Sequence, residues 1–222
     1  MAYQLILASA SPRRKELLER IGFTTKIVPA DVSETMLDAE EPAEFVKRMA
    51  RFKVLTVVNR VKGTLPPQAT AALDQHLGTG MGITSREPPA RWIVGADTIV
   101  VLDGEVLGKP KDVDQAFEML QKLSGREHVV VTGFCVFDLL KNKEGIQAVT
   151  SRVKIKRMSR PEIEKYLSAG ESLDKAGAYA VQGVGAYLID SIQGSYSNVV
   201  GLPLCQLMEM LEEMGAHDIL PY

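Results

Sequence analysis

Apolar and polar positions alternate along this chain in two periods, and the switches between them outline the elements. Gln4 to Ser9 is a short apolar run that predicts a buried strand. Ser11-Pro12 then predicts a helix start, serine as N-cap and proline at the first helical position. Leu17, Leu18 and Ile21 supply its apolar face, and Gly22 ends it. Thr24 to Pro29 reads as a second strand, and Glu41 to Val61 as a long amphipathic helix with Val46, Met49, Ala50, Val57 and Val61 on one stripe.

The next stretch, 62–91, loses all periodicity. It is rich in Gly, Pro, Thr and Ala and predicts a long flexible insertion, with a helical turn near Ala71 to Leu77. Trp92 to Leu102 is a near-continuous apolar run, a buried strand. The turn Asp103-Gly104 and a return over Glu105 to Leu107 follow it. Asp112 caps a helix through Leu123, with Ala116, Phe117, Leu120 and Leu123 facing in. Glu127 to Leu139 and Ile146 to Arg157 form a hairpin around KNKEG. A helix from Arg160 to Ser168, an irregular glycine-rich stretch from Gly170 to Gly201, and a helix from Pro203 to Met214 complete the chain. Strand–helix alternation followed by a hairpin predicts an α/β fold with a mixed sheet flanked by helices.

Composition narrows the class. The 222 residues are 45% hydrophobic and 24% charged, with a formal net charge of −2. That suits a soluble globular chain and argues against a nucleic-acid polymer or a membrane surface as partner. Cys135 and Cys205 lie in apolar runs without metal spacing and read as buried free thiols, which fits a cytoplasmic location. The opening MAYQLILASASPRR lacks a basic region ahead of its short apolar run, so it reads as neither a signal peptide nor a membrane span.

Against this background a few polar residues stand out. In "LASASPRRKELL", Ser9, Ser11, Arg13 and Arg14 gather hydroxyls and guanidinium forks where a strand becomes a helix. That is anion-binding chemistry beyond what a cap requires. Asp97 and Thr98 interrupt the apolar run "IVGADTIVVL". A carboxylate there must be paired, bind a metal or act as a base. Strand alternation puts these two on opposite faces, so they share one site only if the strand ends or twists. Lys53 lies on the stripe of the long helix and must snorkel or meet an anion. Lys109 in "LGKPKD" and Glu34 in "PADVSE" are weak signals alone; with Asp97, Glu34 completes an oxygen-ligand pair for Mg²⁺. Gln182 offers both a donor and an acceptor, as needed to read a base edge. Glycines at 177, 183, 185 and 194 permit close approach to a ligand. There is no P-loop, no dinucleotide fingerprint and no nucleophile elbow. His76, His128 and His217 are too scattered for a triad or a zinc site.

Taken together and in order, "LASASPRRKELL", "VGADTIV", "LGKPKD", "LSGREHVVVTG" and "DKAGAYAVQGVGAYLIDSIQGSYSNVVGLP" resemble the Maf family of nucleoside triphosphate pyrophosphatases. The resemblance spans most of the chain and implies one domain over 1–222, elongated, with two lobes around a cleft. It implies hydrolysis of a nucleoside triphosphate to the monophosphate and pyrophosphate with a divalent cation, Mg²⁺ or Mn²⁺. Arginine (Arg13 or Arg14), Thr98 and Gln182 match the branch acting on dTTP and UTP, which also accepts modified pyrimidine nucleotides. Carried over, Ser9, Arg13 and Arg14 hold the triphosphate, Thr98 and Gln182 discriminate the base, and Glu34 and Asp97 bind the metal. Asp97, Lys53 and Lys109 carry the catalysis. A homodimer is what the family suggests. Two rival readings stand beside this: a nucleotide-binding regulator of cell division or septum formation, and a pyrophosphatase for a non-canonical purine nucleotide. The sequence departs from the family pattern in having Ser172 after Glu171 where proline is frequent, and in the length of the 62–91 insertion.

Overall fold

The computed structural model describes residues 3–63 and 90–221. The insertion expected at 62–91 therefore lies, but for its first and last two residues, outside the described residues, as do its helical turn and His76. Among the described residues, seven strands form one mixed sheet. Strands β1 (Leu5–Leu7), β2 (Thr25–Ile27), β3 (Trp92–Leu102), β5 (Glu127–Asp138), β6 (Lys143–Ile155) and β7 (Ile189–Gln193) lie in the order β2-β1-β3-β5-β6-β7. The short β4 (Glu105–Leu107) pairs with the far end of β3. β1 is parallel to β2 and β3, and the other pairings are antiparallel.

Alternation along β3 divides the interior. The odd positions face α2 (Pro42–Val61), which packs Phe45, Val46, Met49, Ala50 and Val54 over Ile93 and Ile99. The even positions face two separate cores. Trp92, Val94 and Ala96 join α1 (Pro12–Arg20) and the C-terminal α6 (Leu204–Glu213). Val100 and Leu102 join α3 (Val113–Leu123) and α4 (Arg160–Leu167). Thr98 is the even residue left between these cores, and a cavity opens beside it.

The same strand also has a broken edge. β1 ends at Leu7, opposite Val94, and pairing on that edge resumes only with Leu107, the last residue of β4, opposite Val100. Between them, among the described residues, Gly95 to Ile99 have β5 on one side and no strand on the other. Asp97 and Thr98 sit in this gap. Glycine brings α2 close enough to reach it: a Cβ at Gly133 would fall 2.4 Å from the Val46 carbonyl, and one at Gly95 2.7 Å from Val54 Cγ2.

The expected elements are present with three corrections. The hairpin turn is shorter than KNKEG, because Lys143, Glu144 and Gly145 already pair with Asp138, Phe137 and Val136. The stretch from Gly170 to Gly201 is not irregular throughout: it holds β7 and a short helix, α5 (Tyr196–Val200). Cys135 is buried as expected, but Cys205 is exposed in the first turn of α6, its thiol directed at Glu209. Neither cysteine is in a disulfide.

Candidate active site

The sequence-selected residues converge. Ser9, Arg13, Arg14, Glu34, Lys53, Asp97, Thr98, Lys109 and Gln182 all line one cavity of ≈ 660 Å³. That volume suits a nucleotide-sized ligand.

Its floor is an ion cluster. The Lys53 ammonium, 9% exposed, lies 2.5 Å from Asp97 Oδ1 and 2.6 Å from Glu34 Oε1. This explains a lysine on an apolar stripe: it does not snorkel but meets two carboxylates. One ammonium proton is left over, and Asp97 Oδ2 and Glu34 Oε2 make no hydrogen bond among the described residues. Partial burial works against ionisation of Glu34. The charge and hydrogen bond of Lys53, with Lys109 and Arg14 adding, outweigh it and hold this carboxyl below its ordinary range.

One wall is the β1–α1 junction. Ser11 is the N-cap residue of α1, but its side chain makes no capping bond, contrary to its expected role. Ser9 takes the structural role instead. Its hydroxyl oxygen accepts from the Ser11 N–H at 3.2 Å and from Arg14 Nη1 at 3.0 Å. With both lone pairs engaged, its proton remains to donate into the cavity. Arg14 is buried and tied down at three nitrogens: Nε donates to the Gly201 carbonyl at 2.7 Å, Nη1 to Ser9, and Nη2 to Thr98 Oγ1 at 3.0 Å. Burial pulls its pKa down and Asp97 opposes this; a guanidinium stays charged all the same. Arg13 is more open and pairs with Asp174 at 3.1 Å. Lys109 is exposed at the rim and has no ion-pair partner among the described residues.

The opposite wall carries Gln182. Glu171 accepts from the backbone N–H groups of Val184 at 3.2 Å and Gly185 at 3.3 Å, fixing the turn that follows Gln182. Gly177 and Gly185 serve packing, not ligand approach. A Cβ at Gly185 would strike the Ala180 carbonyl at 2.4 Å, and Gly177, at φ 70°, lies against Val100. His128 stays away from the cluster, bonded to the Tyr179 hydroxyl and driven by burial to a pKa of about 4.

Three further residues join the site, and only one of them escapes sequence reasoning. Asp174 and Lys175 line the cavity, and Asp174 bridges Arg13 and Lys175. Thr132, directly across from Thr98 in the β3–β5 register, shares a 2.9 Å hydrogen bond with it. The DKAG tetrapeptide pointed to the first two, but nothing local marks Thr132. Among the described residues no three His, Cys, Asp or Glu side chains cluster as a metal cage, and no helix is long and apolar enough to cross a membrane.

The match to known proteins decides the lineage. The model for the family described as "Maf-like protein" matches residues 4–214. The chain belongs to the Maf family. Among its curated relatives, a Geotalea uraniireducens protein named dTTP/UTP pyrophosphatase is 45% identical over 214 residues, covering 96% of this chain and 95% of the relative. A relative of the same name from Syntrophotalea carbinolica is 42% identical over 96% of this chain and 85% of its own. A third, from Clostridioides difficile, is 41% identical over 94% of each. A solved dITP/XTP pyrophosphatase from Mycobacterium abscessus aligns with 95% of this chain and 97% of its own. Its TM-score of 0.37 and 11% identity make the likeness too weak to bear on function. The Maf match covers every cavity residue named above.

Proposed function

We propose that this Maf protein is a nucleoside triphosphate pyrophosphatase that hydrolyses dTTP and UTP to the monophosphate and pyrophosphate. The observation that carries this is the polarity of the cavity. Ser9 presents a free hydroxyl proton, and Lys53, Arg13 and Lys109 present cationic donors. All of them surround one buried carboxylate, Asp97. Donors of this kind fit a triphosphate, and the carboxylate fits a water to be deprotonated. The names of relatives at 41–45% identity give the nucleotides.

In the proposed reaction a water oxygen attacks the α-phosphorus and the α–β phosphoanhydride bond breaks. Asp97 Oδ2 takes the water's proton, while Lys53 holds Oδ1 and fixes the carboxylate's orientation. Lys53's remaining proton, Arg13 and Lys109 neutralise charge that develops on the departing pyrophosphate. Arg13 turns from Asp174 to phosphate as substrate enters. Arg14, fixed by three bonds, supplies charge and holds Ser9 and Thr98 in place.

The residues also fit a divalent cation. Asp97 and Glu34 already share one cation, the Lys53 ammonium, and each keeps an oxygen free. Two carboxylates with substrate phosphate are the usual donor set for Mg²⁺ or Mn²⁺. Such an ion would polarise the phosphate and acidify a bound water. On this reading the protein works in the cytoplasm, which a nucleotide substrate and two free cysteines support.

Pyrophosphate release from dTTP, UTP, CTP, ITP and 7-methyl-GTP, with Mg²⁺ or Mn²⁺, tests the proposal. Turnover is expected to be fastest with dTTP and UTP. Preference for a purine would move the chain to the non-canonical purine reading. Saturable binding without turnover of any nucleotide would support the regulator.

A further inference from the structure

The cavity brings an anion of its own to its cations. Asp174 lines it with a side chain that is 62% exposed, and two cationic side chains of the same cavity hold its carboxylate. Oδ2 accepts from Arg13 Nη1 at 3.1 Å, and Oδ1 accepts from Lys175 Nζ at 2.6 Å. Lys175, 13% exposed as a side chain, also donates to the Glu171 carbonyl. Partial burial works against ionisation of Asp174. The hydrogen bonds and charges of Lys175 and Arg13 outweigh it and hold the carboxyl below its ordinary range. Asp174 is therefore an anion at neutral pH.

The Arg13–Asp174 pair also joins the two cores across the cavity. α1, which carries Arg13, packs Leu17 and Leu18 into the core of Trp92 and Val94. The segment after Asp174 packs Ala178 and Tyr179 into the core of Val100 and Leu102. Like charges crowd on the Arg13 side, where the charge of Arg13 works against that of its neighbour Arg14. An anion relieves that crowding, and one carboxylate bridging two cations makes the contacts that a phosphate group would make there. A phosphate that enters meets a negative charge as well as the cations.

We propose that Asp174 is a built-in placeholder for phosphate: it occupies Arg13 and Lys175 in the free protein, competes with phosphate for them, and by reclaiming them speeds the release of pyrophosphate. The proposal rests on the nucleotide site described under the proposed function. It adds to that site a residue that weakens anion binding. Ion pairs of this exposure are worth little, so substrate displaces the carboxylate readily. A triphosphate engages the cavity with more phosphate oxygens, and with a nucleoside besides. Pyrophosphate has fewer contacts to set against the returning carboxylate.

The test is calorimetric binding of inorganic pyrophosphate, without a divalent cation, to the full chain and to Asp174→Asn, each shown to be folded. Asparagine keeps the size and an acceptor oxygen and removes only the charge. Pyrophosphate is expected to bind Asp174→Asn about fivefold tighter, the upper end for an ion pair of this exposure. Its inhibition constant against UTP turnover is expected to fall by the same factor. Arg13→Gln removes one of the two cations, and in that background the gain from Asp174→Asn is expected to shrink to less than about threefold. Equal or weaker pyrophosphate binding by Asp174→Asn overturns the proposal, because a carboxylate that only braces the loop, or that aims Arg13 at phosphate, gives that result. A gain kept in full in Arg13→Gln overturns it too, because the carboxylate then acts by repulsion alone. An unmoved pyrophosphate affinity beside wild-type turnover of UTP refutes this inference alone. A wild-type protein that neither binds pyrophosphate nor turns over any triphosphate refutes the underlying function as well.

Discussion

Replacing Lys53 with methionine keeps the apolar stem and deletes the charge between Asp97 and Glu34. Asp97 and Lys53 are each 9% exposed as side chains, so the bond between them is a buried ion pair. Removing one partner of such a pair typically costs about 3–5 kcal/mol, because the other charge stays buried and uncompensated. Two features reduce this here. Arg14 lies close enough for its charge to act on Asp97, and Glu34, at 43% exposure, turns to solvent at little cost. We therefore expect Lys53→Met to destabilise the fold by about 2–3 kcal/mol, below that typical range. Urea unfolding would show this as a midpoint lowered by roughly 1 M at an unchanged slope of about 2 kcal/mol per M. Asp97→Asn in the Lys53→Met background removes the orphaned charge and should recover at least half the loss. If the two substitutions add within about 0.5 kcal/mol, the pair is not coupled and the account of the ion cluster is wrong.

Two further perturbations bear on the scaffold. Gly133→Ala would press a methyl group into the α2 backbone at Val46 and Lys47, neither of which can yield locally. A loss of about 3 kcal/mol is expected by urea unfolding, and a neutral outcome would show that α2 is not held at that distance. Asp138 is buried, accepts from both Arg91 Nε and Nη2 and from the N–H groups of Leu140 and Lys141, and has a pKa of about 2. Its folded pKa lies below its unfolded value near 4, so its contribution is present at neutral pH and is lost as pH falls from about 4 through 2. Asp138→Asn should cost about 2 kcal/mol at pH 7, with a gap from wild type that narrows by pH 3; a gap equally wide at both would contradict the assignment.

Strong local signals were readable before any coordinates. β3, β4 and α3 fall where periodicity and punctuation put them, and Asp112 caps α3 by accepting from the Gln115 N–H at 2.8 Å. Asp97 and Lys53 each broke an apolar pattern, and breaking a pattern is costly enough to mark a site. β7 and α5 were not legible, because their order comes from afar. Each has five residues, and they are held by Ser151 bonding Ser195 and by the buried Asn198 amide reaching Val130 and Ser151. Thr132 was invisible for the same reason: its part depends on the β3–β5 register, which no local window contains. The question of how Asp97 and Thr98 could serve one site had an answer outside both alternatives. The strand neither ends nor needs a special twist there; on one edge its neighbour β1 stops at Leu7, opposite Val94, and pairing resumes only with Leu107 of β4, opposite Val100.

The most direct test of the account is pyrophosphate release from UTP with Mg²⁺ by the wild-type protein and by Asp97→Asn, each shown to be folded. The account predicts one pyrophosphate per UMP formed by the wild type, and a rate at least about a hundredfold lower in the variant, as expected for loss of a general base. Wild-type turnover that persists in Asp97→Asn, or products of UDP and phosphate, would contradict it.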